Sequence, residues 1–209
     1  MPSVLDNLTW LGHDCFKIVG GGQVVYIDPF QLKPPQEPAD VLLITHEHFD
    51  HCSPNDFKTV LKPTTTTVAA AVCGPELLTG RLIIVRPGDR HSVNGLAIEA
   101  VPAYNLDKSF HPQADPRVGF IITLEGQRIY HAGDTDLIPE MKTLKNIDIA
   151  LVPVSGTYVM TAEEAAEAVN TFKPTLAIPM HYGSIVGSKD DAERFKRLAK
   201  VPVTILEPA

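Results

Sequence analysis

The sequence predicts an α/β fold in which two β-sheets pack face to face and helices cover the outside. Short β-rich segments dominate the first two-thirds of the chain, whereas helical segments are fewer and follow strands. A weak internal repeat relates the two halves, because residues 22–26 are echoed by residues 126–130 and residues 39–44 by residues 147–152. Two similar β-rich halves of this kind pack naturally as two stacked sheets.

The strands are predicted from runs of apolar and β-branched residues. These runs occupy residues 8–11, 16–19, 24–27, 41–45, 67–71, 82–85, 96–101, 118–124, 128–131, 175–178 and 203–206. Glu125 and Gly126 lie between two of the runs and predict a tight hairpin turn.

Three helices are predicted from capping patterns. Ser53 followed by Pro54 indicates a helix that begins there and runs to about residue 61. Thr161 and Glu164 form a capping-box pattern before an apolar stripe that ends near residue 172. Asp190 or Asp191 is expected to cap a last helix that reaches residue 199.

Composition restricts the classes of protein to consider. The 209 residues are predicted to form a single domain over residues 1–209, with 44% apolar and 21% charged residues. The net charge of −7 disfavours partners such as nucleic acid or an anionic membrane surface. No apolar run is long enough to span a bilayer, and three widely spaced cysteines suggest no disulfide framework, so we expect a cytoplasmic protein.

Residues 45–51, Thr-His-Glu-His-Phe-Asp-His, carry the strongest chemical signal. His46 and His48 lie two apart on extended backbone, so both project to one side and can share a metal ion. Asp50 and His51 follow the bend and can reach a second ion nearby. The alternative is a solvated polar loop, which seldom carries so many potential ligands.

These residues match the His-x-His-x-Asp-His signature of the metallo-β-lactamase superfamily. Asp134 in Gly-Asp-Thr resembles its bridging aspartate, His181 in Pro-Met-His-Tyr its last ligand histidine, and Asp28 the aspartate before the signature. Through residues 130–136 the chain most resembles Zn-dependent hydrolases near the ascorbate-phosphate lactonase branch. The resemblance implies a four-layer αββα sandwich of two mostly antiparallel or mixed sheets, with a two-metal site at the sheet edge.

The same resemblance implies a ligand set. His46, His48 and a third histidine hold one ion, Asp50, His51 and His181 hold the other, and Asp134 bridges them. Many relatives place the third histidine near the position of Asn105, where this chain has none. His111 is the nearest candidate and requires its loop to fold back over the metals; the alternative is a solvent-exposed loop histidine.

Other residues are predicted to support the site. His131 and Asp28 are each placed either as hydrogen-bond partners of ligands or as ordinary core and turn residues, and His13 as structural or supporting rather than catalytic. Asn105, Tyr158 and Tyr182 lie in loops between ligands and are candidates for contact with substrate, although such residues more often simply pack.

The predicted activity is metal-dependent hydrolysis of a small-molecule substrate. Two ions sharing a water generate hydroxide near neutral pH, which attacks an ester, lactone, thioester or phosphodiester, while Asp50 shuttles the proton. Zn²⁺ suits the nitrogen-rich ligands best, and Mn²⁺, Fe²⁺ or Ni²⁺ also fit. The alternatives are an iron-dependent redox enzyme on the same scaffold and a catalytically silent metal-binding module.

Overall fold

The computed structural model describes residues 4–74 and 80–209 and contains two six-stranded mixed sheets. The first sheet has its strands in chain order: β1 (Leu8–Gly12), β2 (Cys15–Gly20), β3 (Gln23–Ile27), β4 (Val41–Ile44), β5 (Thr66–Ala70) and β6 (Arg81–Val85). Strands β1 to β3 pair antiparallel, and β3 to β6 pair parallel.

The second sheet repeats this arrangement. Its strands are β7 (Arg90–Val93), β8 (Leu96–Pro102), β9 (Val118–Leu124), β10 (Gln127–His131), β11 (Ile149–Pro153) and β12 (Leu176–Met180), in spatial order β12 to β7. Strands β7 to β10 pair antiparallel and β10 to β12 parallel. The two repeated segments correspond to β3 and β4 in one sheet and to β10 and β11 in the other, each a parallel pair.

The helices are α1 (Pro54–Val60), α2 (Ala162–Phe172) and α3 (Lys189–Leu198). The predicted capping box of α2 is present, with Thr161 and Glu164 each bonding the other's backbone N–H. The expected caps of α3 are wrong: Ser188 is the N-cap, and Asp191 stands at the third helical position, where its carboxylate accepts the Ser188 N–H. A serine three residues before an aspartate forms the same reciprocal box.

Three strand assignments differ from prediction. Strand β11 is absent from the predicted strands, although residues 147–152 echo the segment that contains β4. Strand β7 was not predicted, because its sequence Arg-His-Ser-Val is polar and mostly exposed at the sheet edge. The predicted strand at residues 203–206 is wrong, since only Val203 forms an isolated bridge to Ala177. Ile205 and Leu206 instead pack as partly buried side chains against the core.

Buried apolar side chains from both sheets form one continuous core, and the sheets with their helices make the αββα sandwich. Strands β4 and β11 are buried along their whole lengths, which explains their unbroken apolar sequences. The carboxyl ends of parallel strands meet at one edge of a sheet, so the segments after β4, β10 and β12 are brought together. Within the described ranges, no helix combines the length and apolar character needed to cross a bilayer.

Candidate metal centre

Three histidines form the first candidate metal-binding position, which we call the first position: His46, His48 and His111. Each offers a ring nitrogen, and these atoms lie within 4.8 Å of one another. The loop of His111 folds back on Asn105, because Asn105 N–H donates to His111 O at 2.7 Å and Asn105 Oδ1 accepts from His111 N–H at 3.0 Å. His111 is buried rather than a solvent-exposed loop residue.

The second position, defined by Asp50, His51 and His181, lies beside the first. Its ligand atoms are also within 4.8 Å of one another, and His13 belongs to the same group. His13 Nε2 lies 3.0 Å from Asp50 Oδ2, so this histidine directly contacts a predicted ligand.

Asp134 lies between the two positions, as a bridging carboxylate requires. Its Oδ2 is 3.4 Å from His111 Nε2 and 3.3 Å from His181 Nε2, and its Oδ1 is 3.5 Å from His51 Nε2. The turn that carries Asp134 needs Gly133, because its φ is +64° and a Cβ there would approach Val118 O to 2.9 Å.

Hydrogen bonds to the outer ring nitrogens orient four of these histidines. Asp28 Oδ2 accepts from His51 Nδ1 at 2.8 Å and from Thr45 Oγ1 at 2.5 Å. Because the Thr45 hydroxyl donates to Asp28, its oxygen accepts from His46 Nδ1 at 3.0 Å. Asn105 Oδ1 lies 3.0 Å from His111 Nδ1, and Ser155 Oγ lies 2.9 Å from His181 Nδ1. The acceptors at His46, His51 and His111 require a proton on Nδ1 and so leave Nε2 free to bind a metal, while Ser155 orients the His181 ring.

Buried atoms without partners concentrate at this cluster. Nine buried side-chain polar atoms of the described residues have no hydrogen-bond partner, and seven of them belong to His13, Asp14, His46, His51, Asp134 and His181. Unpaired buried polar atoms are costly, and a cluster of them facing one space fits bound cations. Imidazole and carboxylate are also the donor set that first-row divalent metals prefer.

The pKa values of the histidines are shifted in opposite directions at the two positions. Burial lowers the pKa of His46 well below its usual value and that of His111 to about 4. Burial also acts to lower the pKa values of His51 and His181, but the nearby Asp134 carboxylate outweighs this effect. The pKa of His51 is therefore raised well above its usual value, and that of His181 is raised to about 9. These imidazoles in turn hold the pKa of the buried Asp134 well below its usual value.

This asymmetry predicts unequal proton release when metal-free protein binds metal near neutral pH. The raised pKa values of His51 and His181 favour their protonated forms and the lowered values of His46 and His111 favour the neutral forms, so filling the second position is expected to release more protons than filling the first. Calorimetric titration in buffers of different ionisation enthalpy measures the number of protons released. His181→Gln is expected to release about one proton fewer; equal release for both ions would contradict the assignment.

The other predicted residues occupy distinct places. His131 does not bond a ligand side chain: its Nε2 donates to Asp14 O at 2.9 Å, and its Nδ1 accepts from Gly133 N–H at 3.2 Å. It therefore fixes two backbone segments beside the centre. Tyr158 lines the cavity over the metal centre.

Asn105 and Tyr182 do not line this cavity. Asn105 is buried, and its amide nitrogen donates to Asp136 and to Tyr158 O while its oxygen holds His111. Tyr182 is buried against Trp10, with ring centroids 4.9 Å apart, and faces a separate cavity.

Sequence reasoning missed three polar residues of the site. Thr45 immediately precedes the histidine motif, and this adjacency is a signal that was available. Ser155 follows β11 at the same sheet edge as the ligands, which only the strand order makes evident. Asp14, next to His13, is fully buried and lies with Asp134 and His181 within 4.8 Å.

Comparison with known proteins agrees with this geometry. A family model described as a beta-lactamase superfamily domain matches residues 7–181. A UPF0173 metal-dependent hydrolase of Thermoplasma acidophilum is 36% identical over 92% of this chain and 90% of its own. A solved structure from Parabacteroides distasonis is 34% identical, covers 96% of this chain and 93% of its own, and has a TM-score of 0.85.

A second solved structure is Igni18, a metallo hydrolase of Ignicoccus hospitalis. It is 26% identical, covers 97% of this chain and 95% of its own, and has a TM-score of 0.78. The metal-ligand geometry, the matched family model and the near-complete coverage of these relatives lead to one conclusion. The chain belongs to the metallo-β-lactamase superfamily and, within it, to the UPF0173 metal-dependent hydrolases.

Proposed function

We propose that the protein hydrolyses an ester, lactone, thioester or phosphodiester bond of a small molecule, using two divalent ions held by the first and second positions. The observation that carries this proposal is Asp134, whose two oxygens face imidazoles of both positions. Asp134 with the histidines of both positions would hold the ions, which when bound would supply Lewis-acid activation of water near neutral pH.

Asp50 is the proposed proton acceptor. It lines the cavity over the centre, and its Oδ2 lies 3.0 Å from His13 Nε2. Burial alone would raise the pKa of Asp50, but the hydrogen bond from His13 and the nearby His51 lower it below its usual value. Asp50 is therefore ionised at neutral pH and able to accept a proton, while His13 orients its carboxylate.

Asp50→Asn is expected to lower kcat by about 100-fold or more with a smaller change in KM, because the amide is a weaker ligand and cannot accept the proton.

In the unaltered protein, the rate of hydrolysis is expected to rise with pH through an apparent pKa near 7 and then level off. A pH–rate profile recorded with metal content at each pH tests both statements. Full activity in Asp50→Asn with both ions bound would remove Asp50 from the mechanism.

Metal identity is proposed from the donors. Three imidazoles at the first position suit Zn²⁺, whereas the mixed nitrogen and oxygen donors of the second position also suit Mn²⁺, Fe²⁺ or Ni²⁺.

Cys15, Cys52 and Cys73 are free thiols, which supports a reducing compartment such as the cytoplasm.

The cavity over the centre supports a small substrate that carries an apolar group. Its volume is about 300 Å³, and its lining contains no lysine or arginine among the described residues. Six large apolar side chains of the described part of the chain are exposed, and three of them line this cavity: Phe49, Phe110 and Ile185, which are 70%, 47% and 40% exposed. Apolar side chains gathered at a polar catalytic centre favour binding of an apolar moiety.

Phe49→Ser and Phe110→Ser are each expected to lower kcat/KM for phenyl-bearing esters about tenfold or more relative to methyl-bearing esters. The matched controls are Ile84→Ser and Leu198→Ser, which remove exposed apolar side chains that do not line this cavity. Rates on paired ester substrates provide the measurement. An unchanged phenyl-to-methyl ratio in both phenylalanine variants would contradict the apolar substrate.

The function itself is tested by elemental analysis joined to hydrolysis assays on ester, lactone, thioester and phosphodiester panels. We expect close to two ions per chain and hydrolysis that is lost with the metal. Saturation at zero or one ion would reject the two-metal proposal. Oxygen uptake by iron-loaded protein, without hydrolysis in any metal form, would favour a redox activity instead.

A further inference from the structure

Asp14 is a buried carboxylate with no partner. It lies in the turn between β1 and β2, is 0% exposed, and neither of its side-chain oxygens has a hydrogen-bond donor. Burying an ionised carboxylate without a partner is among the most unfavourable arrangements in a protein. A neutral carboxyl does not remove the difficulty, because its O–H would still lack an acceptor.

The surroundings hold Asp14 towards the metal centre. A carboxylate oxygen of Asp14 lies within 4.8 Å of ligand atoms of Asp134 and His181. The backbone of the turn is fixed on both sides, because His131 Nε2 donates to Asp14 O at 2.9 Å and His181 N–H donates to His13 O at 3.2 Å. The side chain therefore faces Asp134 and His181 as a built feature of the fold.

We propose that Asp14 is a further ligand of the ion at the second position. A divalent cation there satisfies both unpaired oxygens and separates the Asp14 and Asp134 charges. The second position then has three carboxylates, those of Asp14, Asp50 and Asp134, beside the imidazoles of His51 and His181. This oxygen-rich set favours Mn²⁺ or Fe²⁺ relative to the nitrogen-rich first position, so the two positions select different ions. The inference rests on the metal centre of the proposed function.

Asp14→Asn tests the assignment because it keeps the size of the side chain and removes its charge. Asp40→Asn is the matched control, since Asp40 bonds Val24 N–H and Lys62 away from the centre. Metal-free proteins are equilibrated with equal concentrations of Mn²⁺ and Zn²⁺, and bound metal is measured by elemental analysis and calorimetric titration. We expect Asp14→Asn to keep one ion and to bind the second at least tenfold more weakly, with a greater loss for Mn²⁺ than for Zn²⁺.

Two ions bound by Asp14→Asn with unchanged affinities and an unchanged Mn-to-Zn ratio would overturn the inference while leaving the proposed function intact. Wild-type protein that binds no second ion would instead contradict the proposed function. Should circular dichroism show that Asp14→Asn is unfolded, X-ray absorption at the manganese edge of the wild-type protein decides. A mainly oxygen ligand shell supports the assignment, and a mainly nitrogen shell overturns it.

Discussion

Asp134→Ala is expected to abolish detectable hydrolysis, with kcat/KM falling at least about 10³-fold, which exceeds the usual loss from one electrostatic contact. The Asp134 oxygens lie within 3.5 Å of His51, His111 and His181. Without this carboxylate, two cations held close together would repel each other with no anion between them. Elemental analysis of the variant is expected to show less than two ions per chain.

His111→Ala provides the comparison, because His111 belongs to the first position alone. The loss of activity in His111→Ala is expected to be smaller than in Asp134→Ala, because His111 serves one proposed ion and Asp134 lies against both positions. Both variants should keep their fold, which circular dichroism verifies. Full metal content and full activity in His111→Ala would show that another group or a water takes this place in the first position.

Removal of metal by a chelator is expected to eliminate activity reversibly and to lower the melting temperature without unfolding the protein. The continuous apolar core draws on both sheets and includes none of the proposed ligands, so we expect it to form without the ions. Bound metal stabilises by mass action, about 2.7 kcal/mol when its free concentration is 100 times Kd. Calorimetry before and after chelation measures the shift, and restoring Zn²⁺ or Mn²⁺ is the control. Complete unfolding on chelation would contradict a core that folds independently of metal.

The ionisations of His181 and His111 are each expected to make the stability of the metal-free form depend on pH. The raised pKa of His181, about 9, contributes stability that is present below its ordinary pKa of 6.5 and is lost as the pH rises towards 9. The pKa of His111, lowered to about 4, contributes stability that is lost as the pH falls from 6.5 towards 4. Melting temperatures of chelated protein across this range follow from the same calorimetry.

The proposed metal ligands were predictable from the sequence where they lie close together along the chain. His46, His48, Asp50 and His51 lie within one six-residue segment, so their convergence follows from strand and bend geometry alone. Asp134 and His181 end strands in the other half of the chain, and their place depended on the resemblance. Only the strand order explains physically why these separate strand ends meet.

The supporting residues were harder to predict because tertiary contacts decide their roles. Asn105 reads as a free polar loop residue, but the folded-back loop turns its amide towards His111. Asp14 reads as a turn residue, yet its turn packs beneath His181. These contacts of Asn105 and Asp14 form only when the two sheets pack together, so the hydropathy pattern of the sequence does not predict them.

The repeated halves have a consequence for the order of events during synthesis. The segment from His46 to His51 emerges from the ribosome more than a hundred residues before His181, while Asp134 is still to be translated. A nascent chain therefore exposes a histidine-rich segment that lacks its bridging carboxylate and binds ions only weakly. With the proposed ligand set, tight metal binding needs Asp134 and His181 from the second half, so we expect a chain truncated before Asp134 to bind metal only weakly.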